Sequence, residues 1–209
     1  MKFYDCQIAP NPRRARIFLA EKGLDIEKVE INIRAGENLT DDFRAINPHG
    51  LLPVLQLDDG TCIDEVMAIC RYIEELHPEP NLLGRDPKER ALITSRQRKA
   101  EFTGMLAVSE MFRNSAEVFA NRSLPGMDDQ PSIPDLVGRG QRTIKRYFEI
   151  FESYLADTPF VAGDSFSMAD ITAFCVIDFA KWVKIEIPEN NINMKAWYDK
   201  IALRDSASA

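Results

Sequence analysis

Histidine is scarce, the cysteines form no paired motif, and long apolar runs are missing; each shortage removes a class of function. Only His49 and His77 are present, and Cys6, Cys62, Cys70 and Cys175 include no CxxC pair. Without clustered Cys/His spacing no structural metal site is expected, and the thiols read as reduced, small hydrophobes. The best candidate for a membrane span, Ala169 to Ala180, is broken by Asp170 and Asp178 and falls short of the roughly 18–20 apolar residues a span needs. The opening Met1-Lys2-Phe3-Tyr4-Asp5-Cys6 puts charge where a signal peptide would be apolar, so a cytoplasmic protein away from membranes is expected. Positive charge is also in deficit, with 26 Lys and Arg against 33 Asp and Glu and a net charge of −7. Such a field repels phosphate backbones and anionic lipid, and nucleic acid is not an expected partner. What is there is an ordinary folding composition: 209 residues, 45% hydrophobic and 28% charged, room for one large or two small domains.

Along the chain, Lys2 to Ile8 reads as a strand, and Asn11-Pro12 as a helix start with Asn as N-cap, the helix running to Lys22 before Gly23. Val29 to Ile33 alternates apolar and polar as a half-buried strand does, and a short helix fits after Thr40. Pro53 to Leu57, Asp59-Gly60 and Thr61 to Ile63 spell a β-hairpin, after which Asp64 is placed to cap a helix through Val66, Ile69, Cys70, Ile73 and Leu76. The prolines and glycine between His77 and Gly84 stop that pattern. Beyond them only helices are expected, at about 87–121, 134–156, 168–183 and 193–203, with 204–209 fraying. Ser167-Met168-Ala169-Asp170 resembles a capping box, with Asp in place of the usual Glu or Gln and Phe166 with Ile171 as its hydrophobic staple. The domains are therefore drawn at 1–80 and 87–209, with 81–86 as linker: α/β, then all-α.

The β-α-β-α-β-β-α order matches a thioredoxin-like domain. Four stretches sharpen the match: Ala9 to Gly23, Asn47 to Leu55, Asp64 to Ile69, and Ser167 to Asp170. In their order and content they resemble a cytosolic glutathione S-transferase of the bacterial, theta-like kind. The resemblance implies an N-terminal thioredoxin-like, glutathione-binding domain followed by a C-terminal helical bundle, and a homodimer. It also implies glutathione as co-substrate, with no metal, and a small electrophile as partner, as in detoxification.

The site residues follow from the same resemblance. Leu52-Pro53 would be cis, with the Leu52 backbone pairing the cysteinyl backbone of glutathione as an added strand does. Glu65 would face the γ-glutamyl ammonium, and the Val66 N–H its carboxylate, where the family usually has a Ser hydroxyl as well. Asn38 stands where a His often faces the glycyl carboxylate, and Leu51 where a basic residue is common, with His49 beside it. Ala9 stands where a theta-like enzyme has the Ser that holds the sulfur, and no Cys replaces it. Asn11 is then the catalytic candidate, as amide donor to the thiolate, its alternative role being helix cap alone. Met105 and Phe112, with Met111, Phe119, Phe179 and Trp182 behind them, are candidates for the co-substrate wall or plain core. Tyr4 and Cys6 are expected in the core, and Glu101 with Arg96 to Lys99 on a solvated face.

The leading expectation is transfer of a glutathione thiolate to small electrophiles. Two others stay open: a non-catalytic glutathione-binding or regulatory module with the same fold, and a glutathione-dependent disulfide or peroxide reductase using no enzyme thiol.

Overall fold

Phe3 and Leu55, paired across the sheet and fully buried, are the centre on which the N-terminal half is built. In the computed structural model, which describes residues 1–209, β1 (Lys2–Asp5) runs parallel to β2 (Glu27–Glu30) and antiparallel to β3 (Val54–Gln56). β3 turns at Asp59-Gly60 into β4 (Cys62–Asp64), giving the order β2-β1-β3-β4. α1 (Pro10–Glu21) and α3 (Val66–Leu76) cover the sheet through Ile17, Phe18, Ile69 and Ile73. α2 (Asp41–Arg44) is capped by the Thr40 hydroxyl, which accepts from the Phe43 N–H. Gly23 ends α1 at φ 67°, letting the Leu24 N–H reach the Leu19 carbonyl.

Both of the first two strands are shorter than their apolar patterns predict. β1 stops at Asp5 because the next carbonyls are taken by Arg16 and by a turn: Gln7 O accepts from Arg16 Nη2 at 2.8 Å, and Cys6 O from the Ala9 N–H at 2.8 Å. With β1 ended, β2 loses its partner after Ile31, and Asn32 enters a turn held by Glu37.

The C-terminal half is helical: α4 (Pro87–Lys99), α5 (Leu106–Ser115), α6 (Asp135–Leu155), α7 (Met168–Lys181) and α8 (Ile192–Ala202). The single helix expected over 87–121 is in fact α4 and α5 joined by a π-helical turn at Ala100–Met105, with a 3₁₀ turn at Glu117–Phe119 after it. Inside the π turn, Gly104 lies so close to Val176 that a Cβ would meet its side chain at 2.9 Å. α7 is the axis of this half, buried from Met168 to Ile177. No helix is long and apolar enough to cross a membrane.

α1 ties the two halves together through arginines. Arg13 pairs with Asp178 at 2.6 Å, and Arg14 with Glu101 at 2.5 Å and Thr172 at 3.2 Å. The last residues do not fray. They form a 3₁₀ turn at Asp205–Ser208, because Arg204 grips Glu21 at 2.7 Å, Ser206 donates to the same carboxylate, and Arg13 donates to the Ala207 carbonyl.

Candidate active site

The cleft between the halves opens at the start of α1. The N-cap there is Ala9, not Asn11, because Pro10 takes the first helical position and its fixed φ suits it. Ala9 is extended at φ −83°, ψ 138° and has no side chain to offer as a cap. Prolines at 10 and 12 carry no N–H, and the Arg13 N–H is already bonded to the Ala9 carbonyl, so only the Asn11 backbone N–H is left without a backbone partner in this turn. The Asn11 side chain is thus free of the capping role. Its Oδ1 accepts from Arg14 Nη1 at 3.1 Å, which fixes the amide's orientation and leaves the NH₂ without a partner inside the protein. Asn11 therefore brings two unengaged donors to the cleft.

Opposite this turn, Leu52-Pro53 is cis, as expected. Neither the N–H nor the C=O of Leu52 bonds elsewhere in the chain, so the residue before β3 presents an open strand edge. The loop behind it is held by two buried asparagines. Asn47 Nδ2 donates to the Leu51 carbonyl at 3.0 Å, and Asn38 Nδ2 to the Gly50 carbonyl at 2.8 Å. Asn38 lines the cleft, but its amide donor serves the loop, and its Oδ1 is left buried without a partner. Gly50, at φ 64°, packs backbone to backbone against Gly126 at φ 73°; a Cβ on Gly126 would strike the His49 carbonyl at 2.0 Å. That approach closes the cleft on one side.

The start of α3 forms the third wall. Its N-cap is Glu65 and not Asp64, which belongs to β4. Glu65 sits at φ 66°, a region that L residues with long side chains rarely adopt, and its exposed carboxylate has no ion pair or hydrogen bond in the chain. Strain of this kind costs about 1–3 kcal/mol and is concentrated at ligand sites. Val66 follows, buried, as the first residue of the helix.

Two compartments meet here. One, of about 940 Å³ with its open mouth, is lined by Pro53, Glu65, Val66, Arg98 and Glu101. The other, of about 870 Å³ on the same measure, runs from Ala9 to an aromatic wall of Phe112, Phe119, Phe179 and Trp182. In that wall Phe112 is edge-on to each of its three neighbours at 5.4–5.6 Å. Asn11, Leu51, Leu52, Met105, Ser109 and Pro125 line both compartments, so among the shared residues the polar side chains are Asn11 and Ser109.

Of the residues assigned to the site in the sequence, all but His49 and Met111 line this cleft; Met111 is buried in the core instead, and Asn38 faces the cleft with a committed donor. Glu101 and Arg98, expected on a solvated face, also line it, because the π turn rotates Glu101 inward to Arg14. Ser109, Arg113 and Gly126 were not legible: a helical Ser, a helical Arg and a loop Gly carry no sequence signal of their own. Tyr4 lies outside the cleft, half-buried with its hydroxyl on Gln56. Cys6 borders it, but burial pushes its thiol up, away from reactivity.

Two family models match the chain: "Glutathione S-transferase, N-terminal domain" over residues 8–76, and "Glutathione S-transferase, C-terminal domain" over residues 127–205. The chain is 36% identical to glutathione S-transferase 2 of Saccharomyces cerevisiae, covering 99% of this chain and 87% of that protein. It is 30% identical to the maleylacetoacetate isomerase of Mus musculus, covering 83% and 75%. Among solved structures, a glutathione S-transferase domain-containing protein of Marinobacter aquaeolei superimposes with a TM-score of 0.92 at 37% identity, covering 99% of each chain. Gtt2 of Saccharomyces cerevisiae does so at 0.91 and 36%, covering 99% of this chain and 98% of that one.

Proposed function

Because the chain belongs to the glutathione S-transferase family, we propose that it binds glutathione along the Leu52 edge and delivers its sulfur, as thiolate, to small electrophiles in the aromatic compartment. The observation that carries this reading is that the unpaired backbone of Leu52, the unpaired Glu65 carboxylate and the unengaged Asn11 donors line one compartment. The cysteinyl unit adds to Leu52 by main-chain bonds. The γ-glutamyl ammonium then reaches Glu65, and its carboxylate the N–H groups and dipole at the start of α3.

The sulfur falls at the seam of the two compartments. There the Asn11 NH₂ and backbone N–H, joined by the Ser109 hydroxyl, stabilise the thiolate over the thiol, lowering a pKa that is about 8.5 when free. Arg14, itself neutralised by Glu101, keeps the Asn11 oxygen turned away from the sulfur. The thiolate attacks the electrophile's carbon, the sulfur–carbon bond forms, and the leaving group departs with the electron pair it shared. Phe112 and Met105 belong to the wall against which the electrophile packs.

Calorimetric titration with glutathione, followed by turnover on a chlorinated nitroaromatic, tests this directly. Saturable binding and turnover are expected. Glu65→Gln should weaken glutathione about tenfold, the worth of one charge-assisted contact, with turnover at saturation little changed. No binding at millimolar glutathione would sink the reading. Binding without turnover on any electrophile would favour a carrier, which the missing hydroxyl at Ala9 also suits. Activity on a small disulfide alone would select the reductase. A homodimer belongs to the same proposal, with the exposed Phe102 and Leu106 as the apolar face to be covered; sedimentation checks it.

A further inference from the structure

Nearly every arginine of α1 and of the glutathione compartment has an acidic partner: Arg13 with Asp178, Arg14 and Arg98 with Glu101, Arg16 with Asp5. The far end of the aromatic compartment is different. Arg34 and Arg113 line it, Arg122 stands directly behind, and none of the three has a carboxylate within ion-pair distance. No acidic residue lines either that compartment or the small recess beyond it. In a chain of net charge −7, an uncompensated cluster of guanidinium groups is a local exception.

The cluster is also built. Arg122 donates to the Ile33 and Arg34 carbonyls at 3.2 Å each, fastening the loop after β2 to the helical half and bringing Arg34 to the rim. Arg113 donates one N–H to the Arg122 carbonyl at 2.9 Å and lies over the Phe119 ring at 4.4 Å, which fixes its plane. A guanidinium has five N–H donors; Arg113 lines the compartment and makes a single hydrogen bond within the chain, which leaves the others available to a ligand. Burial, with the nearby Arg122 charge, pulls the Arg113 pKa down to about 10, still fully charged at neutral pH. Two like charges held together and partly out of water are a cost that an anion would remove.

Resting on the function proposed above, we infer that Arg113, supported by Arg34 and Arg122, is a carboxylate receptor at the end of the co-substrate compartment. The carboxylate it takes is one carried by the electrophile, not the glycyl carboxylate of glutathione. The aromatic wall beside it suits a flat, conjugated acid, with the electrophilic carbon toward Asn11 and the carboxylate in the Arg113 fork.

The sources separate in one set of measurements on the full chain and on Arg113→Gln. Turnover is compared for 4-chloro-3-nitrobenzoate and 1-chloro-2,4-dinitrobenzene, and affinity for glutathione and its glycyl ethyl ester. If the electrophile supplies the carboxylate, Arg113→Gln lowers kcat/KM on the benzoate about tenfold or more relative to the neutral compound, and leaves both glutathione forms equal. An ester that binds the full chain more weakly than glutathione, with Arg113→Gln abolishing that difference, would give the arginine to the glycyl carboxylate instead and overturn the inference. A variant that keeps its fold and treats all four compounds as the parent does overturns the inference. Arg34→Gln, at an exposed side chain, gives the same readings more weakly should Arg113→Gln fail to fold. Quenching of Trp182 fluorescence by the benzoate alone, without glutathione, keeps the arginine site testable if the glutathione reading fails. Binding lost in Arg113→Gln supports the site; binding equal in both overturns it.

Discussion

Two helix starts in this molecule are built in opposite ways. α7 begins inside the core, and its first turn is closed on itself: the Asp170 carboxylate accepts from the Ser167 N–H and hydroxyl at 3.0 Å each, from the Val161 N–H at 3.0 Å and from Trp197 Nε1 at 2.9 Å. α1 begins at the cleft, with an alanine cap, two prolines and an asparagine whose donors are engaged by nothing. The first is a structural joint linking α7, the loop before it and α8. The second is a helix start whose donors are left unengaged at the cleft. The difference shows that a cap motif read from sequence is trustworthy where the surroundings are apolar and closed. It misleads where the same residue type borders a cleft.

The largest test of that contrast is Asp170→Ala, which strands four donors at a fully buried site. At about 1 kcal/mol or more per donor, a loss of about 4 kcal/mol is expected, roughly 8–16 °C in Tm, read by thermal unfolding. If the variant melted within a few degrees of the parent, the joint would not be what it looks like. Burial lifts the Asp170 carboxyl from its ordinary 3.8 to about 6, against the pull of its donors. In that window the folded chain holds a proton that the unfolded chain has released. This group's contribution therefore favours the fold below about pH 4 and is lost as pH rises through about 6. Asp170→Asn, which cannot titrate, should change the slope of stability against pH by up to one proton between those values, measured by urea unfolding.

At the other helix start the expected effects move from stability to rate. Asn11→Asp keeps an oxygen for Arg14 but replaces the donor with a negative charge facing the sulfur. Turnover should fall about tenfold or more, with Tm shifted by no more than a few degrees. Equal turnover would return Asn11 to a structural role. Ala9→Ser is the smallest and most pointed change. Because Pro12 offers no N–H, a hydroxyl at position 9 has only the Asn11 N–H to cap, so stability should change by less than about 0.5 kcal/mol while turnover rises. A clear gain in Tm without a gain in rate would mean that the hydroxyl had turned to the helix.

Legibility in the sequence followed the same division. The hairpin, the capping box and Gly23 were readable, because each is fixed by local chemistry that tertiary structure reinforces. Asn11 as cap and Asp64 as cap were each misplaced by one or two residues, since Pro10 and a strained Glu65 took over roles that propensity alone assigns elsewhere. The ends of β1 and β2 depended on Arg16 reaching across to the Cys6 and Gln7 carbonyls, and the break in the long helix on Gly104 meeting Val176. Long-range contacts of that kind leave no periodic trace. The arginine corner was invisible for a related reason: Arg34, Arg113 and Arg122 are far apart in the chain, and what distinguishes them is the acids they lack.

Position 9 has one further property. Its backbone is extended already, its side chain supports nothing, and the helix behind it is held by Arg13, Arg14 and Arg16 through bonds made farther along. The side chain at position 9 is thus mounted in a socket, separable from the frame that holds it. On the function proposed above, exchanging that one side chain for a hydroxyl or a thiol would change the chemistry offered at the cleft and leave the same molecule standing around it.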